Sequence, residues 1–326
     1  MKTSGKLSSM ILVVVWIAFG AGNVFAAGKY PERPIAFIVQ SSAGGGSDIF
    51  ARTIASAVEK FKLLPKPIVV ENKPGGSGAI AYAYVAGKKK DPHYLLTATP
   101  SFLTTPLLGL TPVGLKDFTP IANLAFDQFM LMVNVNSKYK SVNEVVADAK
   151  ANPKKVTIGG TQLGGSDSMA IYQIEKAAGI QFNYIVFNGG GEVNAALLGG
   201  HVDLASSNPG EALELYKAGK VRILGVLAEK RLALAPEIPT MKEQGIDAIF
   251  VQNRGITAPA DIPPDARRIL EEALFAYTKT PVFSKYCETN MLTEAWMDGA
   301  TFGRWLEQEN AKYDVILKAM NVGKKK

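Results

Sequence analysis

Thiols, imidazoles and long apolar runs are all scarce in this chain. It has one cysteine, Cys287, in 326 residues. A single thiol cannot close a disulfide within the chain or build a cysteine-rich metal site, and its helical context with no histidine partner marks it as inert. The two histidines, His93 and His201, have no second histidine at metal-ligand spacing. Both stand in turn-like contexts and read as surface or turn residues. No Gly-x-Ser-x-Gly elbow occurs, because Gly75-Gly76-Ser77-Gly78 continues into Ala79. A dinucleotide fingerprint fails at Ile49, where a third glycine would have to follow Gly44 and Gly46, and no Gly-Lys-Ser/Thr completes a P-loop. No cofactor and no metal are expected, and a catalytic reading is short of a base or nucleophile.

The one short apolar run lies at the start. Met10–Phe19 follows Lys2 and Lys6 and precedes Val24-Phe25-Ala26, the layout of an export signal cleaved near Ala26. The run is too short to span a bilayer comfortably. Residues 1–26 are therefore read as a signal peptide. The expected product is a soluble exported protein without a lipid anchor, since no cysteine flanks the cleavage site. The net charge is +7, and loss of Lys2 and Lys6 with the signal leaves +5. Many of the cations sit in short runs such as Lys88-Lys89-Lys90 and Lys324-Lys325-Lys326. Aromatic residues are not interleaved with them, which excludes a nucleic-acid platform.

What the chain does have is alternation. Strand-like stretches at Pro34–Val39, Pro67–Glu71 and Tyr94–Thr99 alternate with helical patterns at Asp48–Phe61 and Ala79–Gly87. The last of those strands opens into Pro100–Thr105. The series resumes with Phe118–Ala125 and a crossover strand, Met130–Asn134. A helix follows at Val142–Lys150, with Ser141 and Glu144 in capping-box register. Next come a strand at Val156–Gly160, a polar loop at Thr161–Ser168 and a helix at Met169–Ala178. The unit closes through strands at Asn183–Phe187, Val202–Ser206 and Arg222–Leu227. Ile249–Ile256 reads as a return strand, and the remainder as mostly helical. Such alternation argues for an α/β fold with parallel sheets. It gives two lobes, 28–129 with 251–326 and 130–250, joined by two crossings around a cleft. Ligands of α/β sheets bind where strands end in loops.

The stretch Gln40–Arg52 organises this reading. Glycines 44–46 let the backbone approach a ligand closely, and a helix start presents unpaired N–H groups and a positive dipole end to an anion. Ser47 or Asp48 is the expected N-cap. Around it, small polar residues mark other loop ends: Ser41, Ser42, Thr99, Ser101, Thr161, Gln162, Ser166, Asn188, Asn208 and Asn253. Arg254 could clasp a carboxylate bidentately or instead form an interdomain or surface salt bridge.

Ordered matches along the chain then carry a resemblance. They include Tyr30-Pro31-Glu32-Arg33-Pro34-Ile35, Ala43-Gly44-Gly45-Gly46-Ser47-Asp48, Val70-Glu71-Asn72-Lys73-Pro74-Gly75-Gly76-Ser77-Gly78 and Lys116-Asp117-Phe118-Thr119-Pro120-Ile121-Ala122. Later ones are Gly189-Gly190, Ala196-Leu197-Leu198-Gly199-Gly200-His201-Val202-Asp203 and Ala218-Gly219-Lys220-Val221-Arg222. The chain resembles the solute receptors of tripartite tricarboxylate transporters, the Bug receptors. The resemblance implies a type II periplasmic-binding-protein fold, an organic carboxylate as ligand, and a permease of one large and one small membrane subunit. A tri- or dicarboxylate such as citrate is the expected cargo, and a monomer the expected state. It further implies a carboxylate held by the amides of Ser41–Gly46, namely Ser41, Ser42, Ala43, Gly44, Gly45 and Gly46, and by ordered water. Thr161–Ser168 (Gly164 included), the Phe187–Gly190 turn with Asn188 and Gly189, and Asn208 would supply the other lobe. Gln40-Ser41-Ser42 departs from the family's usual Pro-Phe-Pro, Asn188 from a frequent lysine and Asn253 from a frequent tryptophan, which makes the entrance more polar. A ligand-sensing subunit for a membrane kinase, or an exported hydrolase or lyase on the same frame, are the alternatives.

Overall fold

In the computed structural model the described residues are 30–232 and 234–320, so the signal-peptide reading lies outside them. The first strand, β1 (Ile35–Val39), is an apolar run buried along its length. It leads into α1 (Gly46–Lys60), whose Phe50, Ile54, Ala57 and Val58 recur at helical spacing and are all buried. Then follow β2 (Ile68–Asn72), α2 (Ala79–Ala86), β3 (Tyr94–Ala98), α3 (Pro100–Leu107), β4 (Phe118–Gln128) and β5 (Met130–Asn134). The middle of the chain gives α4 (Val142–Ala151), β6 (Thr157–Thr161), α5 (Ser166–Ala178), β7 (Asn183–Phe187), α6 (Gly190–Leu198), β8 (Leu204–Ser207), α7 (Pro209–Lys217) and β9 (Val221–Val226). The chain returns through β10 (Val251–Pro259), α8 (Pro264–Thr278), α9 (Pro281–Asn290), β11 (Thr293–Asp298) and α10 (Gly299–Ala319).

These strands form two sheets. One has the order β11-β4-β10-β3-β1-β2, the other β7-β6-β8-β5-β9. Both are mixed: the parallel pairing expected of the first three strands is present, and antiparallel strands join it. β1 runs parallel to β2 and β3, with Phe37 opposite Val70 and Leu95, while β10 runs antiparallel to β3 and β4. In the second sheet β6 is parallel to β7 and β8, and β5 is antiparallel to β8 and β9. The chain passes between sheets from β4 to β5 through the buried Phe129, and from β9 back to β10. The antiparallel strands are the ones that cross, because a chain entering from the other sheet arrives at the opposite strand end.

Pro100–Thr105, to which the sequence assigns no element, is helix, with Pro100 in the first turn, where its missing N–H costs nothing. Two expectations are corrected. Ser166, Asp167 and Ser168 are the first turn of α5 and not loop. The segment after α9 contains β11, an edge strand on β4. His93 does stand in a turn but is buried, its ring centroid 5.1 Å from that of Tyr30 and its Nδ1 3.1 Å from Asp91. Cys287 is buried in α9, and burial pushes its thiol up to about 12, as an inert residue requires.

The capping reading at Ser141 holds in one half. Its hydroxyl accepts the Glu144 N–H at 3.3 Å, while the Glu144 carboxylate reaches past the cap to the N–H of Lys140 at 2.6 Å. Ser141→Ala is expected to cost about 1 kcal/mol, read from urea unfolding. A change within error would show that the Glu144–Lys140 contact alone holds the helix start.

Candidate functional site

Four strand-to-helix junctions converge on one cleft. β1 enters α1, β6 enters α5, β7 enters α6, and β8 enters α7. The first turn of each helix borders a cavity of about 40 Å³ lined by Gly46, Ser166, Gly190 and Glu211 among others. Helix starts leave N–H groups unpaired and carry partial positive charge, so four of them aimed at one small space make it receptive to anions.

The α1 start is built differently from the sequence expectation. Gly45 is the N-cap and has no side chain to cap with, so neither Ser47 nor Asp48 plays that part. Asp48 folds back instead. Its carboxylate accepts the Gly44 N–H at 3.0 Å, the Arg52 Nε at 2.9 Å and the Asn72 Nδ2 at 2.9 Å. Burial pushes its pKa up, but these hydrogen bonds outweigh it and hold the carboxyl below its ordinary value. Asp48 thus stays a charged scaffold residue. Gly44 has φ +82°, a conformation that side chains rarely adopt, and it lets the loop reverse above Asp48. Beneath, Gln40 accepts from Thr97 and donates to Thr99 at 3.1 Å and Ser47 at 3.3 Å, which fixes the floor.

The cleft is richer in charge than the sequence suggested. Arg254 pairs with Asp127 across β10 and β4, and the two side chains are 3% and 1% exposed. Burial pulls the guanidinium down, but Asp127 outweighs that and leaves the pKa of Arg254 raised. Gln252 donates to Asp127 at 3.4 Å and to Asn208 at 3.4 Å, and accepts from Ser166. Asp167 accepts the N–H of Thr161 at 2.8 Å and also its hydroxyl, and burial pushes its pKa up to about 6. Glu211 reaches across the cleft from α7 and accepts the N–H of Gly46. Three carboxylates therefore share the space with one guanidinium. The Ser41 hydroxyl, Asp127 Oδ1 and Arg254 Nε are buried without a partner.

Of the residues expected to form a site, Ser41, Gly45, Gly46, Ser47, Thr99, Thr161, Gln162, Ser166, Gly189, Gly190, Asn208 and Arg254 line this cavity. The others stand elsewhere. Ala43 and Gly44 are exposed at the outer turn. Ser42 and Asn188 meet at the rim, where the Ser42 N–H donates to the Asn188 carbonyl at 3.2 Å and its hydroxyl to Glu192 at 3.1 Å. Ser101 is buried against Tyr82 at 2.6 Å. Gly164 packs on Leu108, and Phe187 is half-buried beside the second sheet's core. Asn253 is within the first sheet, donating to the Ala98 carbonyl at 2.6 Å. Strand alternation explains that last misplacement: 252 and 254 share a face, so the partner of Arg254 in the cleft is Gln252. Gln40, Phe129, Asp167, Gln252 and Glu211 also line the cavity and were not anticipated as site residues. No histidine or cysteine lines the cavity, and the Thr161 hydroxyl there is held by the Asp167 carboxylate.

Comparison with known proteins agrees with this geometry. A family model described as "Tripartite tricarboxylate transporter family receptor" matches residues 50–322. A Cupriavidus necator protein named "UPF0065 protein in gbd 5'region" is 31% identical over 91% of this chain and 90% of its own length. Among solved structures, periplasmic binding protein BugD superposes with TM-score 0.84 at 24% identity, covering 91% of this chain and all of that one (100%). An R. palustris protein solved with adipate does so with TM-score 0.84 at 23% identity, over 90% of this chain and 99% of that one.

Proposed function

The chain belongs to the tripartite tricarboxylate transporter receptor family, and on that premise we propose that it captures a small di- or tricarboxylate outside the cytoplasmic membrane and delivers it to a permease of one large and one small subunit. It is a receptor and not an enzyme. The observation that carries the ligand class is the convergence of four helix starts and the Arg254 guanidinium on one small, polar cavity. The lobes are taken as 28–129 with 251–326 and as 130–250, a division supported by the membership of the two sheets. Contacts from both lobes stabilise the closed cleft, so ligand binding is coupled to closure. Adipate in a structural relative supports an acid with two separated carboxylates, and the polar lining favours a small, multiply polar one.

A thermal-shift screen of citrate, succinate, adipate, acidic amino acids and aromatic acids tests this reading. At a hundredfold excess over its Kd, the true ligand is expected to add about 3 kcal/mol of stability. Mass spectrometry of acid carried through purification should identify the same compound. Micromolar binding of an aromatic acid, with citrate and the dicarboxylates silent, would overturn the ligand class.

A further inference from the structure

The Glu211 carboxylate sits in the seat that the fold prepares for an anion. Its Oε1 accepts the N–H of Gly46, the first residue of α1, from a position 165 residues away in sequence. A Cβ at Gly190, the first residue of α6, would overlap that same carboxylate. A Cβ at Gly46 would meet an Arg254 guanidinium nitrogen at 2.5 Å and lie 3.1 Å from Glu211 Oε1. Gly190 therefore leaves room for the Glu211 carboxylate, and Gly46 for the Arg254 guanidinium beside it. A second, independent feature shows the seat to be unfinished. The Ser41 hydroxyl, 8% exposed and on the cavity wall, has no partner.

We infer that Glu211 is a specificity-determining residue that admits a ligand carboxylate to the cleft only together with a proton. The inference rests on the receptor reading above. An entering carboxylate needs the Gly46 and Gly190 end of the cleft, which an ionised Glu211 already fills. Two ionised carboxylates side by side in a buried space repel strongly. Glu211 resolves this by binding one proton from solvent on a carboxyl oxygen. The neutral acid then donates a hydrogen bond to the ligand, whose oxygens take over the α1 N–H.

The surroundings favour that proton. Burial, and then the charge of Asp167 on α5, push Glu211 up to about 7, while the Gly46 N–H and Arg254 on β10 act the other way. Asp127 on β4 adds to the upward push, and Tyr286 on α9 faces the same group of charges. On α6 the nearest acid, Glu192, is engaged at the rim by Ser42 and Asn188. α1 contributes its N-terminus, with Asp48 turned away onto Arg52. The sign follows from linkage: a bound anion raises Glu211 further, so the complex holds more protons than the free receptor. Affinity is then level below about pH 7 and falls as pH rises above it.

Titration calorimetry with citrate, succinate and adipate, in phosphate and in Tris between about pH 6 and about pH 9, tests the inference. The tightest of these acids should weaken by roughly tenfold per pH unit above neutrality and take up about one proton per binding event. Glu211→Gln should flatten the profile and abolish the uptake. Glu211→Ala should do the same if the amide disturbs packing, with circular dichroism confirming the fold of each. Asp167→Asn should keep the fall but start it at lower pH, because the Asp167 charge is one of the influences that push Glu211 up. Parallel pH profiles in wild type and both Glu211 variants, or uptake of no proton by wild type, would overturn this inference and leave the receptor reading standing. Silence of all three acids in wild type and variants at pH 6 would overturn both.

Discussion

Arg254→Met should cost about 3–5 kcal/mol of stability near neutral pH, the range seen when one partner of a buried ion pair is removed. The pair with Asp127 is almost wholly enclosed, so water cannot replace the lost guanidinium. The asymmetry of the cluster sharpens the expectation. Arg254 feels Glu211 and Asp167 as well as Asp127, whereas Asp127 has Arg254 as its one strong cationic partner. Asp127→Asn should therefore cost less, about 1–3 kcal/mol, because the guanidinium keeps other carboxylates nearby. In Arg254→Met the isolated Asp127 carboxyl is raised by burial without its counter-charge. The folded state then binds more protons than the unfolded one, and stability falls as pH rises. The deficit should accordingly shrink between pH 7 and pH 5. Urea unfolding of both variants at the two pH values provides the check. A loss below about 1 kcal/mol for Arg254→Met, or the reverse order of the two variants, would contradict the pairing.

The second large effect is on binding. Ser41→Trp should abolish carboxylate binding, a loss of at least about a hundredfold, or roughly 2.7 kcal/mol. Ser41 is buried on the wall of a cavity of only about 40 Å³. An indole there would fill the space between the α1 and α6 starts and hold the lobes apart. The same change at Asn188, which is exposed at the rim and does not line the cavity, should leave affinity within a few-fold. Calorimetry on both, with the fold of each checked by circular dichroism, reads the result. Undiminished binding by Ser41→Trp would remove the cavity from consideration as the ligand site.

The framework was legible where a local rule decides the matter. Apolar runs such as Ile35–Val39, turn signals and the cap at Ser141 depend on neighbours in sequence, and these elements stand within a few residues of expectation. Sheet direction was not legible, because β10 pairs with strands far from it in the chain. In the site, the polar loop ends were readable as ligand donors, while the acids were hidden by an ordinary alternative. Asp167 and Glu211 each stand in the first turn of a helix, where an acidic residue normally stabilises the dipole from the surface. Nothing local says that both helix starts face inward. Gln252 was within reach of sequence reasoning, since it shares the strand face of Arg254. Gly46 and Gly190 were readable as ligand-loop glycines, but not the Glu211 carboxylate that reaches both from α7.

The position of β10 between β3 and β4 has a consequence for assembly. Residues 130–250 contain every strand of the second sheet, so that half can form from one continuous stretch. The first sheet cannot. Its strands up to β4 leave a gap that is closed only when residues 251–259 arrive, after residues 129–250 have been looped out. Such long-range pairing is entropically expensive and slow. Gln252 and Arg254 travel on β10, so the binding cavity lacks that wall until residues 251–259 are in place. An unfinished molecule can thus hold a folded second half and still be unable to grip an acid.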